Sequence, residues 1–275
     1  MKEETELKEN SESYRGLRFI VCSQVRRGLL LELLEGQKPL HDLCSELGVP
    51  APQAGHALRE LQDYHYVREE ERSYALTFIG KGVALKMIDF NIMAAVLQKH
   101  ENFWLEHDTS GIPDHLIGML ILLSDSTILA SPLTDVFQAY RRGLALFQGA
   151  KVFKVVVTIG VPEASPFLNK LAADQVHIHL VLPEDLLRES TVRRDLAEVQ
   201  RTLGKRCTLS VLKHDPKLCI AATDSVMGLA LPQADGAIDI SHVLLGQSKD
   251  AVTWGTALFN HYAHAAKRVS LAEFA

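Results

Sequence analysis

Residues 39–64 read PLHDLCSELGVPAPQAGHALRELQDY, and the fold turns on how this stretch divides. Leu40, Leu43 and Leu47 fall at helical spacing behind Pro39, a residue tolerated in a first turn because its missing N–H has no helical partner there. Gly48-Val49-Pro50 ends that helix. A second runs from about Ala51 to Tyr64, with Ala54, Ala57, Leu58 and Leu61 on one face. Two short helices joined by a Gly-containing turn of three or four residues make a helix-turn-helix.

Working outward, Val21, Val25, Leu29 and Leu33 share one face of a preceding helix predicted over Leu17 to Leu34, which stops near Gly36. On the other side, Tyr66 to Glu70 and Ser73 to Thr77 read as two strands around a charged tip, Glu69-Glu70-Glu71-Arg72. A hairpin directly after a recognition helix is a wing. Thr77 can cap a further helix beginning near Phe78 and passing through Val83, Met87 and Ile88. The order three helices, hairpin, long exit helix predicts a winged helix-turn-helix.

A chain of 275 residues with 47% hydrophobic and 23% charged residues has the composition of a globular protein, long enough for about two domains. Its 29 Lys+Arg against 34 Asp+Glu give a formal charge of −5, with no basic excess announcing nucleic acid or a membrane surface. The longest uncharged stretch, Ala251 to Ala266, is shorter than a membrane-spanning helix needs and contains His261, His264 and Asn260. Cys22, Cys44, Cys207 and Cys219 form no C-x-x-C and read as reduced, buried thiols. The polar, acidic start MKEETELKENSES is unlike a secretory signal, so residues 1–13 are expected to be a disordered leader on a cytoplasmic protein.

Residues 14–99 hold 11 basic and 10 acidic side chains, a lean balance for a DNA-binding module, whose affinity rests on phosphate contacts. The expected contacts to double-stranded DNA are Gln53, His56 and Arg59 on the recognition helix. Gln suits adenine, Arg suits guanine, and His can donate to guanine or phosphate. Arg68 and Arg72 on the wing and Arg26 and Arg27 on the first helix are placed for the backbone or a minor groove. The competing reading is a winged helix that no longer reads sequence and serves protein contacts, its wing arginines opposed by three glutamates.

Beyond residue 113 the pattern is mixed. Helices are expected over 114–123 and 133–148, a strand over Val152 to Ile159, a helix over Glu163 to Ala173 and a strand over Val176 to Leu182. A charged helix follows over Pro183 to Leu203. Three short strands come next, at Cys207 to Leu212, Leu218 to Thr223 and Val226 to Leu231, and then a final helix from about Ser248 to Lys267. The fold class is α/β overall, its C-terminal part a mixed or parallel sheet covered by helices.

This order is reminiscent of phospholipase-D-like sensor domains, but that chemistry needs His-x-Lys, and none of the 12 histidines is followed two places on by Lys. G-x-S-x-G, G-x-x-x-x-G-K-[ST], H-E-x-x-H and G-x-G-x-x-G are also missing, so no catalytic residue and no cofactor is assigned. His177 and His179 share a strand face and His261 and His264 lie a helical turn apart, but neither pair has a further ligand in sequence, and no metal site is assigned.

The stretch Ser23 to Met87, with a first helix ending in L-L-x-G, then L-x-D-L-x-x-x-L-G and L-T-x-x-G, resembles archaeal winged-helix regulators. Phe103, Trp104, His107, Asp108, Ser110, Gly111, Ile112 and Pro113 are similar to the F-W-x-x-H-D-x-S-G-I-P hallmark of regulators with a FilR-type domain, a family named for a methanogenesis regulatory protein. Ala222-Thr-Asp224 with Gly228-Leu-Ala-Leu231, and Trp254-Gly-x-x-Leu-Phe259, extend the likeness over most of residues 20–268. Two places depart from it: the lean recognition helix, and Thr158-Ile-Gly-Val-Pro162, where a serine-proline pair is expected after the strand.

The resemblance implies a transcriptional regulator whose winged helix occupies 14–77, a linking helix and aromatic-His-Asp turn 78–112, and a FilR-type regulatory domain 113–275. It implies a C-terminal domain that senses something, and the expected partners are a second copy of the chain in a homodimer and a small-molecule effector. Candidate effector contacts are Thr158 and Gly160 in the loop leaving the first strong strand, Asp224 in the later hairpin, and the His107-Asp108 pair. That pair equally suits a turn-capping, domain-orienting role.

Overall fold

The computed structural model describes residues 16, 18–160, 164–203 and 206–270, and its contacts divide the chain into two compact units that meet in sequence between Asn91 and Ile92. The expected leader, residues 1–13, lies outside the described residues.

In the first unit, helix α1 (Gln24–Glu32) is followed by a short strand β1 (Lys38–Pro39), α2 (Leu40–Leu47), α3 (Ala51–Asp63), the hairpin β2 (Val67–Glu70) and β3 (Ser73–Leu76), and the start of α4 (Phe78–Lys99). The helix expected over Leu17 to Leu34 is interrupted at Cys22-Ser23. Ser23 caps the second piece by accepting from the Arg26 N–H at 3.3 Å, a local hydrogen bond that competes with a continuous helix. Cys22 is exposed at this break and Cys44, Cys207 and Cys219 are half-buried, which corrects the expectation of four buried thiols.

β1, not anticipated, pairs antiparallel with β3 through Lys38 and Tyr74 and completes a three-stranded sheet in the order β1-β3-β2. Two residues are too few for an alternating signal to show in sequence. The wing turns tightly at Glu71-Arg72, both with positive φ (49° and 65°), as a two-residue hairpin requires. Leu29, Leu30, Leu43, Leu58, Leu61 and Val67 form the core of this unit.

Gly80 explains the L-T-x-x-G motif. A Cβ there would stand 1.9 Å from the Tyr66 carbonyl oxygen, so only glycine lets α4 start against the hairpin. Thr77 completes the junction, its hydroxyl donating to the His65 carbonyl at 2.6 Å and accepting from the Gly80 N–H at 3.0 Å.

Among the described residues, the second unit holds a mixed sheet of eight strands in the order β11-β7-β6-β5-β8-β9-β10-β4. The parallel pairings among these residues are those of β5 (Val152–Val156) with β6 (His177–Pro183) and of β6 with β7 (Cys207–Leu212). The strands β8 (Cys219–Ala222), β9 (Met227–Ala230), β10 (His242–Gly246), β4 (Thr127–Ala130) and β11 (Lys267–Val269) join by antiparallel pairing. The hairpin β8–β9 follows β7 directly and pairs against β5, which ends the parallel run there.

Alternating residues feed two cores. Val156, Val181, Ile220, Leu229 and Leu244 pack with Phe103 of α5 (Glu101–Glu106), Leu116 of α6 (Asp114–Ile117), and Trp254 and Leu258 of α11 (Lys249–Ala265). Phe153, Leu180, Leu182 and Leu245 pack with Phe147, which caps α7 (Gln138–Leu146), and with Phe167 and Leu171 of α8 (Ala164–Ala173). Leu187 of α9 (Glu184–Arg188) and Leu196 of α10 (Ser190–Leu203) join them. Apolar residues on both faces of a strand demand a helical layer on each side, and that is the arrangement found.

Several boundaries differ from the periodicity reading. The helix expected over 114–123 is α6 followed by a separate 3-10 turn at Leu120–Leu123. The helix expected over 133–148 starts only at Gln138, because Pro132 to Asp135 closes a turn of its own, the Asp135 N–H donating to the Pro132 carbonyl. The single charged helix over 183–203 is two, since Glu189 takes extended ψ. β4, β10 and β11 were missed. β10 is largely buried, so its apolar run carries no alternation, and β11 has only three residues.

Candidate nucleic-acid interface and sites of the second unit

Helix α3 presents Ala54, Ala57, Leu58 and Leu61 inward and leaves Gln53, His56 and Arg59 exposed. Arg59 Nε donates to the Gly55 carbonyl at 3.3 Å, and His56 Nε2 lies 3.6 Å from Glu60 Oε1. On the wing Arg68 Nε stands 3.2 Å from Glu70 Oε1, while Arg72 is exposed at the turn.

The first helix behaves differently from expectation. Arg26 is no free phosphate contact: its guanidinium lies 3.9 Å over the Phe19 ring and pairs with Glu60 at 2.9 Å, with only 16% of its side chain exposed. A planar cation between an aromatic face and a carboxylate is held there by stacking and charge together. Arg26 therefore ties α1 to α3. Arg27 donates to the Val21 carbonyl and bridges the break before α1.

In the second unit the expected partners part company. His107 and Asp108 are neighbours in sequence but face different groups. The His107 ring is buried, donates from Nδ1 to the Phe103 carbonyl at 2.8 Å, and sets Nε2 3.2 Å from Asp239 Oδ2. Asp239 also accepts from the Ser241 hydroxyl at 2.6 Å and the Ser241 N–H at 2.8 Å, and its Oδ2 lies 2.9 Å from His242 Nδ1. Burial alone would raise the Asp239 pKa, but these hydrogen bonds outweigh it and hold the carboxyl well below the usual aspartate range.

Asp108 instead accepts from the Ser110 N–H at 2.8 Å and lies 3.3 Å from Lys217 Nζ. The Ser110 hydroxyl and N–H, then Lys217, lower its pKa to about 2. The segment is sewn down by the Asp108 N–H donating to the Pro232 carbonyl, and Tyr262 donates its hydroxyl to the Gly111 carbonyl. A Cβ on Gly111 would meet the Pro216 carbonyl oxygen at 2.4 Å. The hallmark stretch is thus a packed junction, and the carboxylate that faces His107 is Asp239, which sequence reading did not single out.

Thr158, Gly160 and Asp224 do not form one site. The Thr158 N–H faces Cys219 Sγ at 3.4 Å beyond the carboxyl end of β5, and Gly160 follows it. Asp224 accepts from the Lys151 N–H at 3.2 Å, just before β5 begins. Because β8 runs antiparallel to β5, the turn after it returns to the opposite end of that strand. Val161 to Glu163, the rest of the departing loop, lie outside the described residues.

His177 is exposed and His179 half-buried on one face of β6. Burial, then Lys154, His177 and Arg268, lowers the His179 pKa. The His115 and His261 rings lie 5.7 Å apart. Among the described residues no group of three or more His, Cys, Asp or Glu is placed to hold a metal ion.

Family models of the methanogenesis regulatory protein FilR1 match the chain twice, the N-terminal domain over residues 14–97 and the middle domain over residues 136–265. The chain belongs to the FilR1 family of regulatory proteins. Between the two FilR1 matches lies the His107-Asp108 junction. The methanogenesis regulatory protein FilR1 of Methanothrix harundinacea (strain 6Ac) is 24% identical over 263 residues, which cover 92% of this chain and 58% of that relative. This chain therefore spans little more than half of that FilR1 protein's length. Among solved structures, TrmBL2, described as an archaeal chromatin protein with a novel mode of DNA binding, is similar over 90% of this chain and 94% of its own, at 14% identity and a TM-score of 0.40. Nuc, a phospholipase D family member from Salmonella typhimurium, is similar over 52% of this chain and 97% of its own, at 10% identity and a TM-score of 0.39. Among the described residues no helix is long and apolar enough to cross a membrane.

Proposed function

We propose that this chain is a cytoplasmic, DNA-binding transcriptional regulator, with the winged helix reading promoter DNA under control of an effector-sensing, dimerising C-terminal unit. The observation that carries the reading is the division of α3: an apolar face locked into a helix-turn-helix core, and an opposite face presenting Gln53, His56 and Arg59 one turn apart. These types match base-edge donors and acceptors in a major groove, and Arg68 and Arg72 on the wing suit phosphates. Membership of the FilR1 family supports the regulatory role.

Self-association is supported by α4. Phe78 is 93% and Phe90 64% exposed, with Ile79 and Leu85 also exposed, on a predominantly apolar helix. Such a helix is stable in water when a second surface covers it. A homodimer would bring two recognition helices to successive major grooves, roughly 34–36 Å apart.

The acidic wing favours a second reading, a protein-interaction module without sequence preference, since Glu69, Glu70 and Glu71 flank its two arginines. Retention of genomic fragments by the purified protein at about 100 mM salt separates the two. A regulator enriches a few upstream regions carrying an inverted repeat. Uniform weak retention that disappears with added salt removes the regulator reading.

A further inference from the structure

A cavity of about 130 Å³, partly open to the surface, lies in the second unit between α7, α8 and the sheet strands β5, β6, β8, β9 and β10. Among the described residues, every side chain that lines it is uncharged. Its walls are aliphatic and aromatic, with Tyr140 and Cys219 the members that carry a polar atom. Phe147, Phe153 and Phe167 stand in successive edge-to-face contacts, with centroids 5.5 and 5.4 Å apart, and form one wall.

Protein interiors are close-packed, and spaces much larger than a water molecule are few in a domain. Gly143 helps keep this one open. It is buried on the inner face of α7, and a Cβ built there meets no heavy atom within 4 Å. Burial pushes the Cys219 thiol pKa up, so the sulfur stays a neutral, polarisable group.

From this lining and size we infer that the cavity is a binding site for a neutral, apolar small molecule, the size of one aromatic ring or a short branched hydrocarbon chain. A dry cavity of about 150 Å³ lined by Leu, Ile and Phe in another protein binds benzene and xenon, which sets the scale. A carboxylate or ammonium entering this site would lose its water with no opposite charge among the described lining residues to replace it, so charged analogues are rejected. The three phenylalanine edges favour an aromatic guest through the same edge-to-face geometry they use among themselves. The use of this site as the effector site rests on the regulatory reading above; the binding itself does not.

The test uses the full chain and benzene, toluene and indole as probes, with benzoate as the charged control, followed by titration calorimetry and thermal unfolding. Saturable binding of at least one neutral probe, with none of benzoate, is expected. In Gly143→Leu, where a side chain occupies the space, binding is expected to be lost while the unfolding transition remains. Failure of all three neutral probes to bind overturns the site, as does equal binding by benzoate or by a folded Gly143→Leu protein. Xenon-pressurised crystals of the unaltered protein give a check that needs no variant: density among Gly143, Phe147 and Ile220 supports the site, and its absence there overturns it. Absence of DNA retention in the fragment experiment would remove the regulatory reading and leave this binding result standing, so the two failures are distinguishable.

Discussion

His107 Nε2 lies 3.2 Å from Asp239 Oδ2 across 132 residues of chain. The contact joins the segment after the long helix to the approach of β10, and both side chains are buried. A carboxylate whose partners are removed inside a protein is left uncompensated, which costs more than the pair contributes. His107→Ala and Asp239→Ala are each expected to destabilise the protein by about 3–5 kcal/mol in urea unfolding. The double variant should lose clearly less than the sum, which a double-mutant cycle would read.

The same pair sets an acid limit. Asp239 has its folded pKa held below the usual 3.8, so its contribution is fully present above that value and is lost as pH falls through the lower, folded value. Asp108 acts in the same direction, its contribution fading between 3.8 and about 2. Stability measured from pH 5 downward should therefore fall more steeply in the native protein than in Asp239→Asn. Parallel slopes would remove Asp239 from the account.

Arg26 and Arg59 carry the same charge and are expected to fail differently. Arg59→Ala removes an exposed side chain, so the unfolding midpoint should hold while specific DNA affinity drops by about 1–3 kcal/mol. Arg26→Ala removes the stack on Phe19 and the pair with Glu60, and should lower the stability of the first unit by about 1–3 kcal/mol. Measuring melting and fragment binding on both variants separates the roles.

Gly80→Ala places a methyl against the Tyr66 carbonyl, an overlap that must be relieved by moving the hairpin or the start of α4. A loss of about 3 kcal/mol or more is expected, visible as protease sensitivity of the first unit. Gly143→Ala should do the reverse and stabilise by about 0.5–1 kcal/mol. Alanine is the better helix former, and its methyl finds open space.

Phe90→Glu puts a charge on the exposed apolar surface of α4 without disturbing a core. If that surface pairs with a second copy, sedimentation at micromolar concentration should shift from dimer to monomer, and DNA affinity should fall with it. A dimer that persists would place self-association elsewhere.

The winged helix was legible in the sequence because each of its signals is local. Leucines at helical spacing mark α2 and α3, Thr77 and Gly80 build the start of α4 within four residues, and the hairpin folds on a two-residue turn. The alternation of β6, which sends Leu180 and Leu182 to one core and Val181 to the other, was equally readable as a strand.

Tertiary structure alone decided where the chemistry meets. The direction of β8 is set by pairing with β5, not by its residues, and that direction sends Asp224 away from Thr158. His107 found Asp239 and not its neighbour, because adjacent residues in extended chain point to opposite sides. Arg26 was drawn from solvent by Phe19 and Glu60, and the apolar cavity exists only where two helices and five strands come together around Gly143. Periodicity records which face of an element is buried, but not what lies against it. That choice is made by contacts between residues far apart in the chain.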